Sequence, residues 1–140
     1  MSIRQYRPRS NRRQGISANQ SLGLYLLLAF AIALQISYPL VNGDALRYIT
    51  IFTVITGAIL MLTHSFLSYG FRYFATFALV TFTFALVVEI IGSKTGWPFG
   101  SYVYDDSLGL KIAGVPIIVP CAWIMMAHPV LIAARKTFPS

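Results

Sequence analysis

Charge and cysteine are both scarce. Of 140 residues only 11% are charged, 4 are acidic and one is a cysteine, where an ordinary soluble domain carries about 25% charged residues. A lone thiol, Cys121, excludes an intrachain disulfide and a cysteine-based metal set. The acids are Asp44, Glu89, Asp105 and Asp106, the histidines His64 and His128, and these do not fall at metal-ligand spacing. There is no glycine-rich phosphate loop, no serine elbow and no metalloprotease helix, so neither a metal nor a redox or nucleotide cofactor is implied. Internal repeats and low-complexity tracts are also lacking.

What the chain has is apolar surface. Hydrophobic residues make up 56% of it and the mean hydropathy is +0.67. A soluble domain of about 150 residues buries only about 70% of the surface its unfolded chain exposes, too little to hide this composition. Disorder requires the opposite, low hydrophobicity. The expected class is all-α: a polytopic integral membrane protein with about four transmembrane helices, and the lipid bilayer as its immediate partner.

Residues 1–21 are polar and basic and read as a flexible arm. The membrane domain is expected over 22–136. Its first apolar run, 22–41, is long enough to span rather than serve as a signal-peptide core. Asn42-Gly43-Asp44-Ala45 is a turn by composition. From Tyr48 to Ile91 the chain is almost uncharged. As one helix that stretch would measure about 66 Å at ~1.5 Å per residue, twice the ~30 Å hydrocarbon core. It therefore has to fold back, and Ser68-Tyr69-Gly70 is the break, with Gly70 suited to the left-handed position after a helix end. This gives spans at 48–69 and 71–91. Residues 92–114 hold six glycines and prolines and form a re-entrant or surface loop. A fourth span covers 115–134, with Pro120 and Pro129 expected to bend it. Gly57, Ala58, Ala75, Ala78 and Ala85 permit close helix contact.

Of the 11 basic residues, five lie in the arm, at Arg4, Arg7, Arg9, Arg12 and Arg13. On a soluble protein a formal charge of +7 would point to nucleic acid. Ahead of an apolar span it points instead to cytoplasmic anionic headgroups, and no nucleic-acid partner is expected. Adding Arg72, Arg135 and Lys136 to the arm leaves only Arg47, Lys94 and Lys111 on the other side. The expected topology is both termini cytoplasmic, in the cell (plasma) membrane, with the 92–114 loop on the outer face.

Glu89 is the only carboxylate within an apolar span, and such residues usually face a bundle interior or cavity. Burial would keep it protonated and able to donate a proton; a helix-end glutamate reaching into headgroup water is the other reading. Its helical face carries Ala85, Leu86, Phe82, Thr81 and Ala78. Asp105 and Asp106 are either solvated loop acids or a base above Glu89, with Lys94 and Lys111 as candidate salt partners. The run Trp97, Phe99, Tyr102 and Tyr104 is either an aromatic belt at headgroup level or a lid whose ring faces stabilise a cation. Phe71, Phe74, Phe77, Phe82 and Phe84 stripe the third span and suit helix packing, lipid contact or a long polyene. His64 and His128 read as packed or hydrogen-bonded residues.

The sequence Glu89 … Thr95-Gly96-Trp97-Pro98-Phe99-Gly100-Ser101-Tyr102-Val103-Tyr104 … Gly114-Val115-Pro116 … Val119-Pro120-Cys121-Ala122-Trp123 … Met126-Ala127-His128-Pro129 resembles the carotenoid biosynthesis membrane proteins related to carotenoid hydratases. The resemblance covers roughly residues 85–134; the first two spans match only in hydropathy. It implies water addition across a terminal double bond of an acyclic carotenoid dissolved in the membrane. In that chemistry Glu89 is the proton donor and Asp105 or Asp106 the water-side base. Trp97, Phe99, Tyr102 and Tyr104 would wall the cation, with Phe82, Trp123 and His128 contacting substrate. Members of the family are usually longer, which implies a fragment, a half that pairs with a second subunit or another copy, or a degenerate relative. A non-catalytic carotenoid- or lipid-binding subunit, or a structural subunit of a larger membrane complex, is the alternative. Small heterodimeric lycopene cyclase subunits are of similar size and also protonate an alkene, but their paired acidic motif is missing.

Overall fold

The computed structural model describes residues 15–138. The five arginines of the N-terminal arm lie outside them. Four helices carry the chain: α1 (Ala18–Ser37), α2 (Gly43–Tyr69), α3 (Phe71–Thr95) and α4 (Ile118–Thr137), and all four are long and apolar enough to cross a membrane. The molecule is an all-α, membrane-integral bundle. Short 3-10 turns at Tyr38–Leu40 and Asp106–Leu108 and a two-stranded antiparallel ribbon, β1 (Lys111–Ile112) with β2 (Val115–Pro116), complete it.

The helix ends differ from the hydropathy bounds for local reasons. α1 starts inside the polar segment because Ser17 and Gln20 form a capping box: the Ser17 hydroxyl accepts from the Gln20 amide at 3.3 Å and the Gln20 side chain accepts from the Ser17 amide at 2.9 Å. α2 begins at Gly43 rather than Tyr48. Asn42 is its N-cap residue and Asp44 lies in its first turn, where a carboxylate complements the helix dipole. The residues expected to form a turn are the start of the helix. α3 runs four residues past Ile91, to Thr95. α4 starts at Ile118, because Val115 and Pro116 are tied into the ribbon. Pro120 therefore sits in the first turn, where no intrahelical donor is missing. Only Pro129 lies inside α4, where its ring removes the bond to the Met125 carbonyl.

α2 and α3 are joined by Gly70 alone, at φ +84° and ψ 174°. The φ is positive, as the break required, but ψ is extended rather than left-handed helical. The Gly70 amide closes α2 on the Phe66 carbonyl at 2.8 Å, and its own carbonyl accepts from the Phe74 amide at 3.1 Å. One residue thus ends one helix and opens the next.

α2 packs against each of the other three helices, and α3 packs along α4. The buried centre is Ala58, Phe77 and Ile124, with Leu62, Tyr73, Phe82, Cys121 and Ala127 around it. α2 and α4 approach closely at Gly57, where any side chain would run into Met125. α1 buries no residue. The many exposed leucines, isoleucines and phenylalanines on the outer helix faces are what lipid solvates without penalty.

Candidate functional site

Glu89 is 7% exposed and Ala85, one turn below it, is fully buried. Their spacing puts both on the α3 face that meets α4. Gly92 follows three residues on. A Cβ there would come within 2.7 Å of the Tyr102 hydroxyl and 3.3 Å of the Phe99 ring. The missing side chain opens the space through which the 92–114 loop reaches back to the carboxyl.

Three donors converge on Glu89. The Tyr102 and Tyr104 hydroxyls each donate to Oε2 at 2.7 Å, and the Trp123 indole N–H donates to Oε1 at 3.1 Å. The loop is extended at this point, so residues 102 and 104 point the same way, while Val103 between them is 95% exposed. The two phenol rings meet edge to face at 5.3 Å. Burial, reinforced by the bond to Glu89, pushes both phenols above the ordinary tyrosine range, so they keep their protons at neutral pH. An indole N–H can only donate. Oε1 is therefore an acceptor, and were the carboxyl protonated the proton would sit on Oε2, which would then donate to one tyrosine oxygen while accepting from the other.

The loop is pinned from its outer side. The Lys111 ammonium donates to the Tyr104 carbonyl at 2.8 Å and to Asp106 Oδ1 at 2.6 Å. Ile117 N–H to the Leu110 carbonyl, 2.9 Å, ties the ribbon to the start of α4, and Val115 is fully buried beneath it. Asp105 accepts from the Ser107 amide at 2.7 Å. That bond, with the nearby charges of Lys111 and Arg47 adding to it, holds the carboxyl below its ordinary range.

The structure thus brings Glu89, Tyr102, Tyr104 and Trp123 together, with Phe82 on the same face of α3, packed against the core. Trp97 and Phe99 are 74% and 54% exposed and lie at the rim. Asp105 and Asp106 turn to Ser107 and Lys111 instead of Glu89, and of the two candidate lysines only Lys111 pairs among the described residues. His128 is elsewhere. It is fully buried, its Nε2 lies 3.0 Å from Nδ1 of His64, and its ring packs against Tyr69, Tyr73 and Phe77, toward the opposite end of α3. Sequence reasoning named Lys111 as a salt partner, which its pairing with Asp106 bears out, but missed its bond to the Tyr104 carbonyl and Gly92 as part of the site. The alternating Tyr-Val-Tyr was the available signal that two rings share one side.

A cavity of about 540 Å³ lies between α1, α2 and α4, lined by Leu24, Leu28, Leu60, His64 and Lys136 among others, and touches none of the Glu89 partners. Among the described residues no three His, Cys, Asp or Glu side chains gather at metal-binding distance.

Residues 49–140 match the family model described as carotenoid biosynthesis protein, and the chain belongs to that family. No curated protein and no solved structure matches it.

Proposed function

We propose that this carotenoid biosynthesis protein hydrates a terminal double bond of an acyclic carotenoid, with Glu89 as the acid. The observation that carries this reading is a buried carboxyl whose hydrogen-bond partners among the described residues are two tyrosine hydroxyls and an indole N–H. Once protonated from the water side, such a group is a proton donor in an otherwise apolar, aromatic setting. The Oε2 proton passes to the less substituted carbon of the terminal double bond, directly or through the Tyr102 or Tyr104 hydroxyl, and leaves a tertiary carbocation on the other. The ring faces of Trp123, Phe82 and the two tyrosines stabilise it. A water oxygen forms the new C–O bond, and the oxonium proton returns to the Glu89 carboxylate. Acid and base are then one residue, and neither loop aspartate is required. As the three donors remain on the carboxylate, its transient charge is compensated without a cation.

The site lies about 9 Å below the end of α3, six residues at ~1.5 Å each, so water from the membrane surface has a short path. By the distribution of basic residues the loop faces outward from the cell membrane and both termini face the cytoplasm. A second subunit or a second copy would supply further walls for the polyene.

The test is Glu89→Gln in a host that makes the acyclic carotenoid. Product heavier by one water should fall by at least about 10²-fold, the scale of a lost general acid, with the protein still in the membrane. Unchanged product would remove Glu89 from the chemistry. One observation favours a second reading: three donors on one carboxyl also make a latch that holds the loop. In a pigment-binding subunit with such a latch, purified protein carries carotenoid and Glu89→Gln changes loop protection but not product.

A further inference from the structure

At the end of α3 away from Glu89, two buried polar atoms have no hydrogen-bond partner among the described residues: His128 Nδ1 and the Tyr73 hydroxyl. They belong to neighbouring rings, with centroids 6.1 Å apart. His128 is fully buried, and its other ring nitrogen is already committed to His64. Whichever tautomer the pair adopts, Nδ1 stays unsatisfied. Tyr73, but not His128 behind it, lines a cleft of about 240 Å³ between α3 and α4, with Thr76, Phe77, Val80, Leu131 and Arg135 among others. The Arg135 guanidinium caps it, 5.2 Å from the centre of the Tyr73 ring. Unpaired polar atoms deep in an apolar bundle call for an explanation, and an unseen ligand is one.

We propose that this cleft receives a hydroxyl at the far end of the same linear isoprenoid whose other end meets Glu89. The inference rests on the hydration reading for the identity of the near end. A hydroxyl both donates and accepts, so it can pair with the unsatisfied Tyr73 phenol in either sense. The spacing agrees. Tyr73 and Glu89 are sixteen residues apart on one continuous helix, about 24 Å along its axis, comparable with the ~30 Å hydrocarbon core that a rigid polyene crosses. Between them the α3–α4 side of the bundle is apolar and aromatic, with Val80, Phe84 and the Trp123 ring that packs edge to face on Phe84 at 6.1 Å. The preferred substrate is then one already oxygenated at its distal end, and an oxygen-inserting or water-adding step at that end precedes this one.

The experiment uses purified full-length protein in lipid nanodiscs and two acyclic polyenes of equal length. They share the reactive end and differ only in a distal hydroxyl. Binding is read from quenching of tryptophan emission. The hydroxylated polyene should bind about tenfold more tightly, the effect of one well-made hydrogen bond to a buried group. Tyr73→Phe should reduce that preference to near unity. Equal affinities in the wild type, or a preference that survives Tyr73→Phe, would overturn the proposal and leave the cleft to water. Turnover of the same two polyenes separates this failure from that of the hydration reading. Both hydrated at equal affinity sinks only the distal site, whereas a distal preference without any hydrated product sinks only the reaction.

Discussion

At the residue scale the proposed hydration depends on which oxygen of Glu89 takes up the proton, and Trp123, by donating to Oε1, directs it to Oε2. Because the indole N–H occupies Oε1, the two phenols share Oε2. Replacing Trp123 with Phe keeps most of the ring face and frees Oε1, so the proton is no longer directed. Hydrated product should fall about tenfold, one misplaced hydrogen bond's worth, with polyene binding retained; equal rates would show the indole N–H to be idle. Tyr104 is the more constrained phenol, being tied to Glu89 at its hydroxyl and to Lys111 at its carbonyl. The pH consequence follows in sign. Tyr102 and Tyr104 have their acidities weakened by folding. The folded form therefore holds these protons more firmly than the unfolded chain, and the loop keeps its full stability below the ordinary tyrosine value of about 10. Above that value stability declines as pH rises. An ultraviolet phenolate titration should show a late phase at high pH that is absent from Tyr102→Phe/Tyr104→Phe protein. Asp105 runs the other way. Its depressed value stabilises the Ser107 turn at neutral pH and is lost as pH falls below the ordinary aspartate range, near ~3.9.

At the element scale two glycines do work that their neighbours cannot. Gly92 leaves room for the Tyr102 hydroxyl. Gly92→Ala would push that ring off Glu89 at a cost of about 1–3 kcal/mol, as for other overpacked contacts. The expected outcome is unchanged helix content by circular dichroism, faster hydrogen exchange in the 98–106 segment, and reduced product. Gly70→Ala places a side chain at φ +84° and should destabilise the α2–α3 hairpin by about 1–3 kcal/mol, read as a lower midpoint of unfolding in detergent, with no selective effect on the loop. The helix ends show where sequence stopped being informative. Asn-Gly-Asp reads equally as a turn or as an N-cap followed by an acidic first turn, and composition cannot separate the two when the helix that follows is uniformly apolar. Val115-Pro116 looked like the entry of the fourth span because hydropathy has no term for the two-residue ribbon that holds it. The break at Gly70 was legible because a membrane's thickness allows no other fold for so long an apolar run.

At the scale of the whole molecule, hydropathy alone carried the four-span, all-α architecture, since lipid demands that each span satisfy its own backbone. Glu89 stood out for the same reason, as the single acid in apolar surroundings. Tyr102, Tyr104 and Trp123 were read as walls and substrate contacts, not as its hydrogen-bond partners, because they are 13, 15 and 34 residues away and only the packing of α3 on α4 under the loop brings them in. The family resemblance grouped His128 with them, yet five residues along α4 carry it about 7.5 Å deeper and onto other rings. This arrangement predicts a measurable depth order. The chain has 2 tryptophans, at positions 97 and 123. Trp97 is 74% exposed on the loop, where indole favours the headgroup level, whereas Trp123 lies a turn and a half inside α4. Each can be isolated by replacing the other with Phe, and quenched in bilayers by lipids brominated at successive acyl positions. Trp97 should be quenched most by the shallowest label and shift little when polyene is added. Trp123 should be quenched most several ångströms deeper, and polyene should quench it further by stacking nearby. Equal depths would mean that the loop folds into the hydrocarbon instead of covering it, and water would then lose the short path to Glu89 that hydration needs.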